Sequence, residues 1–192
     1  MRALAIVAHP DDETLWMGNQ ILKNKYDWTI LSLCRANDKD RHPKFLNVCS
    51  YYNAKPIITN LEDDELKPVD IKEIMGLIDK NLNNKDYDVM YTHGKKGEYG
   101  HIRHKEVHQA VKEMIKAKKL KTKKIFYFNY KKQNNHCIAI KNKGYYFKLN
   151  DNEIKEKKKI IMEMYGFQQG SFEEKSCGDE SFEIDNIVCL PS

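Results

Sequence analysis

The chain predicts an α/β fold: a Rossmann-like, mostly parallel sheet with helices on both faces, followed by a C-terminal hairpin and helix. Three observations carry that prediction. Short apolar runs recur along the first two thirds of the sequence, as in strands buried on both faces. Each is followed, after a polar loop, by a stretch whose apolar residues have helical spacing, and such alternation argues a parallel sheet. The 192 residues, 41% hydrophobic and 32% charged, suffice for one full core. With no repeat, low-complexity linker or second domain in view, residues 1–192 are expected to form a single domain.

Ala3-Leu4-Ala5-Ile6-Val7-Ala8 is the first strand, and Thr14 to Leu22 reads as a helix packing through Leu15, Trp16, Ile21 and Leu22. Trp28 to Cys34 is a second buried strand. A polar loop, Arg35 to Asp40, leads to a helix from Arg41 to Asn53 carrying Phe45, Leu46, Val48 and Tyr52. Pro56-Ile57-Ile58-Thr59 is a short third strand. Asp70 caps a helix striped by Ile71, Ile74, Met75, Leu77, Ile78 and Leu82. Tyr87 to Thr92 is the fourth strand, a helix from about His104 carries Val107, Val111, Met114 and Ile115, and Lys124 to Phe128 is the fifth strand. The rhythm then changes: Cys137 to Ile140 and Tyr145 to Leu149 flank Asn142-Lys143-Gly144 and read as a hairpin. Asp151 to Tyr165 is a lysine-rich amphipathic helix, and the polar segment from Gly166 onward is expected to loop over a neighbouring surface.

Composition narrows the function classes. No apolar run approaches the roughly 20 residues of a membrane span. Met1-Arg2 runs straight into a strand without a signal-peptide layout, so a cytoplasmic location is expected. Five scattered cysteines (Cys34, Cys49, Cys137, Cys177 and Cys189), with no CxxC pair, fit a reducing compartment. The net charge of +5 comes from lysine clusters at 116–124 and 155–159. No aromatic residues interleave within the first as a base-stacking surface needs, so these read as solvated faces and no nucleic-acid partner is expected.

The chemistry concentrates in two short stretches. His9-Pro10-Asp11-Asp12-Glu13 sits where the first strand hands over to a helix, the sheet edge at which α/β folds bind ligands, and Pro10 stiffens that turn. Tyr99-Gly100-His101-Ile102-Arg103-His104 follows the fourth strand and a glycine-rich loop. His101 and His104, three apart, project from one face of a helix's first turn. Together the stretches suggest a mononuclear site with His9, Asp12 and His104 as metal ligands and one position open to water, the catalytic rather than the structural zinc pattern. Asp11 adjoins a ligand without being needed as one, so it suits a general base. His101 as an imidazolium would stabilise an oxyanion or protonate a leaving amine, and Tyr99 is a further hydroxyl donor. Taken alone, the acidic turn would serve equally as a helix N-terminus favouring carboxylates, and the histidine pair is weak. Glu13 reads as a supporting or helix-dipole residue, and His93 as an ordinary loop histidine. His42, His108 and His136 have no companions.

The paired motifs His9-Pro10-Asp11-Asp12-Glu13 and Gly97 to His104, with Tyr91-Thr92-His93 ahead of the loop, resemble the PIG-L/LmbE-like zinc-dependent N-deacetylases over roughly residues 1–165. The resemblance implies Zn²⁺ on His9, Asp12 and His104, Asp11 as base, His101 as acid or oxyanion stabiliser, and an N-acetylated small-molecule substrate, a sugar above all. His₂Asp ligation also tolerates Fe²⁺ or Co²⁺. The chain departs from the family's usual pattern with Ile102 and Arg103 where a small residue or Pro and then Asp are common. Arg103 is therefore expected to meet an anionic substrate group, with Arg35 and Arg41, in loops after the second strand, as further substrate-binding residues. Asn37, Asp38 and Asp63 lie in comparable loops. Two other readings stand beside this one: a metal-dependent amidase acting on a non-sugar small molecule, and a non-catalytic binding domain with a degenerate site. A homo-oligomer is left open.

Overall fold

The computed structural model describes residues 1–186; residues 187–192, Cys189 among them, lie outside the described part. Strands and helices alternate as the apolar pattern requires: β1 (Arg2–Val7), α1 (Asp12–Lys23), β2 (Asp27–Cys34), α2 (Arg41–Tyr51), β3 (Lys55–Leu61), α3 (Ile71–Asn81), β4 (Asp86–Thr92), α4 (Ile102–Lys116) and β5 (Lys121–Phe128). These five strands are parallel in the order β3-β2-β1-β4-β5, with β1 at the centre. The strand order reverses between β1 and β4, which opens a crevice at their carboxyl ends.

Side chains of β1 alternate between two cores. Ala3, Ala5 and Val7 face Trp16, Met17, Phe45 and Ile161, whereas Leu4, Ile6 and Ala8 face Ile74, Ile78, Val107 and Met114. Burial on both faces is why β1 tolerates no charge beyond Arg2. The side chain of Asp70 caps α3 by accepting the Lys72 N–H, as the sequence suggests. The free cysteines Cys34, Cys49, Cys137 and Cys177 are all buried. No helix among the described residues is long and apolar enough to cross a membrane.

The C-terminal part holds a hairpin and a helix, but the pairing differs from the sequence reading. β6 (Tyr130–Gln133) and β7 (His136–Ala139) form the two-stranded hairpin, and β8 (Tyr145–Phe147) does not join it. The turn is made at Asn134 with φ 55°, a left-handed conformation that asparagine accepts more readily than most residues. The Lys131-Lys132-Gln133 run masked the first strand, because the hairpin leaves that face in water. α5 (Asp151–Lys159), opened by an Asn150/Glu153 capping box, continues through a π-helical turn at Ile160–Met164. The segment from Gly166 onward is more than a loop: it forms α6 (Phe172–Ser176) and then β9 (Glu180–Asn186), which inserts antiparallel between β5 and β8.

A buried ion pair fastens this half to the first. Lys157 and Glu180 are wholly buried, 3.1 Å apart, and Lys157 Nζ also donates to the carbonyl oxygens of Leu15 and Gly178. Glu180 accepts the Asn19 N–H and the Gln20 side-chain amide, so the pair clamps α1 between α5 and β9. Removing one partner strands a charge in the core. Glu180→Ala is expected to lower stability by about 3–5 kcal/mol in urea unfolding, and Lys157→Met with Glu180→Leu by far less.

Candidate metal centre

Both histidine motifs emerge at the switch point, brought together by the β1–β4 pairing. The turn after β1 is tightly held. Ala8 N–H donates to His93 Nε2 (2.9 Å), and Glu13 accepts the Asp11 N–H (3.1 Å) and the hydroxyls of Thr14 (2.7 Å) and Tyr165 (2.8 Å). Asp11 itself sits at φ 110°, a backbone region costly for any residue with a side chain, and it is kept there by these surroundings. Across the crevice, Gly94 brings the second loop against β5: a Cβ at that position would meet the Phe128 carbonyl oxygen at 2.1 Å.

Three donor atoms converge. His9 Nδ1 lies 3.2 Å from Asp12 Oδ2 and 3.2 Å from His104 Nε2, and the last two are 3.5 Å apart. For bonds of about 2.0–2.1 Å, the edge of a tetrahedron around zinc is roughly 3.3 Å, so the triangle has the size of one tetrahedral face. The far side of each donor is occupied. His104 Nδ1 is 2.5 Å from Glu98, a carboxylate that can only accept, so His104 Nε2 presents a lone pair to the cluster. His9 Nε2 is 3.0 Å from Asp63 Oδ1, at ion-pair distance although the N–H points off the line to that oxygen. Asp12 Oδ1 accepts the Trp16 indole N–H at 2.7 Å. Two imidazole nitrogens and a carboxylate oxygen thus converge on one point; burial works against a charge on His9, yet the Asp12 and Asp63 carboxylates raise it to about 10, and a divalent cation would take the place of the proton they hold there.

Other donors come near without completing such a set. His9, His101 and His104 can bring ligand atoms within 4.8 Å of one another, as can Asp12, His93 and His104. His93, however, spends both ring nitrogens, on the Ala8 N–H and on Glu98 (2.8 Å), while its ring stacks on His104 at 3.9 Å. It supports the site rather than joining it. Burial works against ionisation of Glu98, yet His93 and the His104 and His93 hydrogen bonds outweigh it and hold that carboxyl down at about 2.

A cavity of about 360 Å³ opens over this cluster, lined among others by Asp11, Trp16, Arg35, Arg41, Tyr99 and His101. Asp11 is buried, and burial with Asp12 alongside pushes its pKa well above the usual carboxylate range against the pull of Arg41, whose Nη1 is 3.0 Å away. His101 caps the start of α4 with its ring edge-on to His9 at 4.9 Å. Burial, together with His104 and His9, holds His101 down at about 4, so its ring is neutral rather than the imidazolium the sequence suggested; a bound cation would push it the same way. Burial raises the Tyr99 hydroxyl, which stays protonated as a donor. Arg35 reaches the rim but holds Asp63 (2.7 Å) and Asp64 (2.8 Å).

Arg103 is placed elsewhere. Its side chain is fully buried beneath the loop after β3, pairing with Glu106 (2.6 Å) and with the carboxylate and carbonyl of Glu62. The expectation that it meets a substrate anion does not fit this placement; it ties α4 to that loop. Glu98, His93 and Trp16 are the supporting residues that sequence reasoning missed. Only their spacing offered a signal: Trp16 lies one helical turn after Asp12, and Glu98 six residues before His104.

Fold and donor set define a doubly wound α/β protein with a candidate mononuclear cation site at its switch point. The family model described as PIG-L: GlcNAc-PI de-N-acetylase matches residues 4–115, over half of the chain and both histidine motifs, and the chain belongs to that family. An uncharacterized protein of Acanthamoeba polyphaga mimivirus is 25% identical over 175 residues, spanning 82% of this chain and 76% of that protein. Among solved structures, the N,N'-diacetylchitobiose deacetylase of Pyrococcus horikoshii in complex with an inhibitor has a similar fold (TM-score 0.71, 15% identity, 96% of this chain and 84% of that one). So does the A40926 pseudoaglycone deacetylase Dbv21 (TM-score 0.67, 12% identity, 98% of this chain and 99% of that one).

Loss of an outer partner should loosen the cation without unfolding the chain. Glu98→Gln is expected to weaken Zn²⁺ binding by about 10–100-fold in a competitive chelator titration, and His104→Ala to abolish stoichiometric binding.

Proposed function

We propose that the chain is a metal-dependent hydrolase that removes an N-acetyl group from an amino sugar or glucosaminide conjugate. The observation that carries this reading is the convergence of the His9, Asp12 and His104 donor atoms beside a buried Asp11 in the lining of a small-molecule cavity. Family membership supports the reaction class, and the two solved structures of similar fold bear the names of an N,N'-diacetylchitobiose deacetylase and an A40926 pseudoaglycone deacetylase. The His₂Asp donor set suits Zn²⁺ best, with Fe²⁺ or Co²⁺ also accommodated.

The cation supplies Lewis acidity when bound, bringing water toward ionisation near neutrality and polarising the amide carbonyl. Asp11 takes the proton of the attacking water, a role its raised pKa favours because proton affinity then approaches the working pH. The charge that develops on the carbonyl oxygen is met by N–H and O–H donors, for which neutral His101 and protonated Tyr99 are in position on the cavity wall. Asp11, now protonated, delivers that proton to the leaving nitrogen as the C–N bond breaks. Arg41 keeps Asp11 aimed across the cavity and is itself stacked on Phe167, 4.3 Å from the ring centroid.

Two measurements test this. Asp11→Asn should lower kcat for amine release from N-acetylglucosamine by about 10²–10⁴-fold while still binding one equivalent of zinc; unchanged turnover would remove Asp11 as the base. Chelator treatment should abolish turnover of the wild type, with recovery on adding Zn²⁺, and full activity without any divalent cation would overturn the metal-dependent reading.

A further inference from the structure

The cavity has one wall that lies outside the residues matched by the family model. Phe172 and Glu173, on α6, line the cavity together with Arg41 and Asp38. The Phe172 ring packs edge-on against Tyr99, 5.0 Å between centroids. The segment is built to hold still. The Ser171 hydroxyl accepts the Glu174 N–H, Glu174 pairs with Lys158 of α5, and the Ser176 hydroxyl accepts the Cys137 N–H while donating to the Phe172 carbonyl. Among the described residues the Glu173 carboxylate makes no hydrogen bond or ion pair, although both its neighbours in sequence are engaged.

Charge around the cavity is unequal. Its two arginines each already have a carboxyl partner, Arg35 in Asp63 and Asp64 and Arg41 in Asp11. Asp38 spends one carboxylate oxygen on the N–H groups that open α2, and it remains an anion on the rim. Glu173 adds another to the lining. Asp38 and Glu173 thus put two carboxylates without a basic partner on the cavity lining, and an approaching phosphate or carboxylate is repelled by both. A ring with hydroxyl groups finds the reverse: carboxylate oxygens to accept from them and the Phe172 face to lie against.

Resting on the deacetylase reading, we infer that Glu173 is a specificity-determining residue, selecting N-acetylated substrates whose remaining groups are hydroxyls or amines over those carrying a phosphate or carboxylate. Phe172 positions the ring so that these groups reach it. The selection is exerted through the α6 wall rather than through the donor residues.

The test compares N-acetylglucosamine with N-acetylglucosamine 6-phosphate, which differ only in the added dianion, as substrates of the zinc-loaded protein. The wild type should favour the neutral sugar in kcat/KM, and the preference should shrink as salt rises from roughly 50 to 500 mM, because partly exposed charges are screened. Glu173→Gln should reduce the preference about five- to tenfold, mainly through KM of the phosphate, and Glu173→Lys should invert it. The same charge removal far from the cavity, Glu113→Gln on α4, should leave the ratio alone. An unchanged ratio in Glu173→Gln, or one equally altered by Glu113→Gln, overturns the inference. Should the wild type bind zinc but turn over neither sugar, the deacetylase reading fails separately. Calorimetric binding of the two sugars to wild type and Glu173→Gln then decides the charge preference by the same criterion.

Discussion

Polar atoms crowded this closely must share a proton or a cation, and this molecule holds two imidazole nitrogens and a carboxylate oxygen within 3.5 Å at the ends of two neighbouring strands. Such an arrangement lasts only if a proton or a cation is shared among the atoms, or if the surroundings prevent the groups from turning away. The surroundings here do the second thing thoroughly. Glu98 grips His104, the Trp16 indole grips Asp12, and Asp63 faces the outer nitrogen of His9. Each of these partners is itself fixed, Glu98 by the Gly94 N–H and His93, Trp16 by the core, and Asp63 by Arg35. A cation arriving at such a site meets donors already oriented, so little ordering entropy remains to be lost on binding.

The topology explains why the support can be so complete. β1 is the central strand of the sheet, buried on both faces, and the turn that follows it cannot drift without disturbing two cores. That turn accepts an unfavourable backbone conformation at Asp11, held by the Glu13 carboxylate beneath it. Strain of this kind persists only where neighbouring contacts over-determine the backbone, and it serves to aim the Asp11 carboxyl across the cavity while Asp12 faces inward.

Much of the fold was legible because its signals are local. Alternation of apolar runs with helical stripes marks every element from β1 to β5, and a charge-free run such as Ala3 to Ala8 has few other uses. That His9, Asp12 and His104 would meet at one sheet edge was legible because ligand-type residues at such spacing follow two strand-like runs, and the structure brings their donor atoms within 3.5 Å of one another. What escaped is non-local. β9 is too polar to read as an internal strand, since one part of Ser181-Phe182-Glu183-Ile184 packs on the core while the rest meets solvent at the sheet's antiparallel edge. Arg103 was misjudged because a charge beside a ligand histidine suggests function, whereas Glu62 and Glu106, 41 residues before it and three after it, claim it for structure. The neutral state of His101 depends on burial and on neighbouring imidazoles, neither of which a sequence displays.

The division of labour along the chain follows from the same physics. Binding a cation and moving a proton need sub-ångström placement, and the groups proposed for these tasks sit on the parallel half of the sheet, where hydrogen-bonded strands on both sides fix the backbone. Substrate selection tolerates looser placement, because a charge acts over several ångströms and an aromatic face over a whole ring. The C-terminal segment meets that lesser demand. It reaches the cavity from the antiparallel edge, anchored through the Lys157–Glu180 pair to the very helix whose first turn carries Asp12. Because that anchor fixes α6 through α5 and β9 rather than through the donor residues, the wall can change its side chains while the donors stay where they are. A family that keeps one reaction and varies its substrate would be expected to vary this segment before any other.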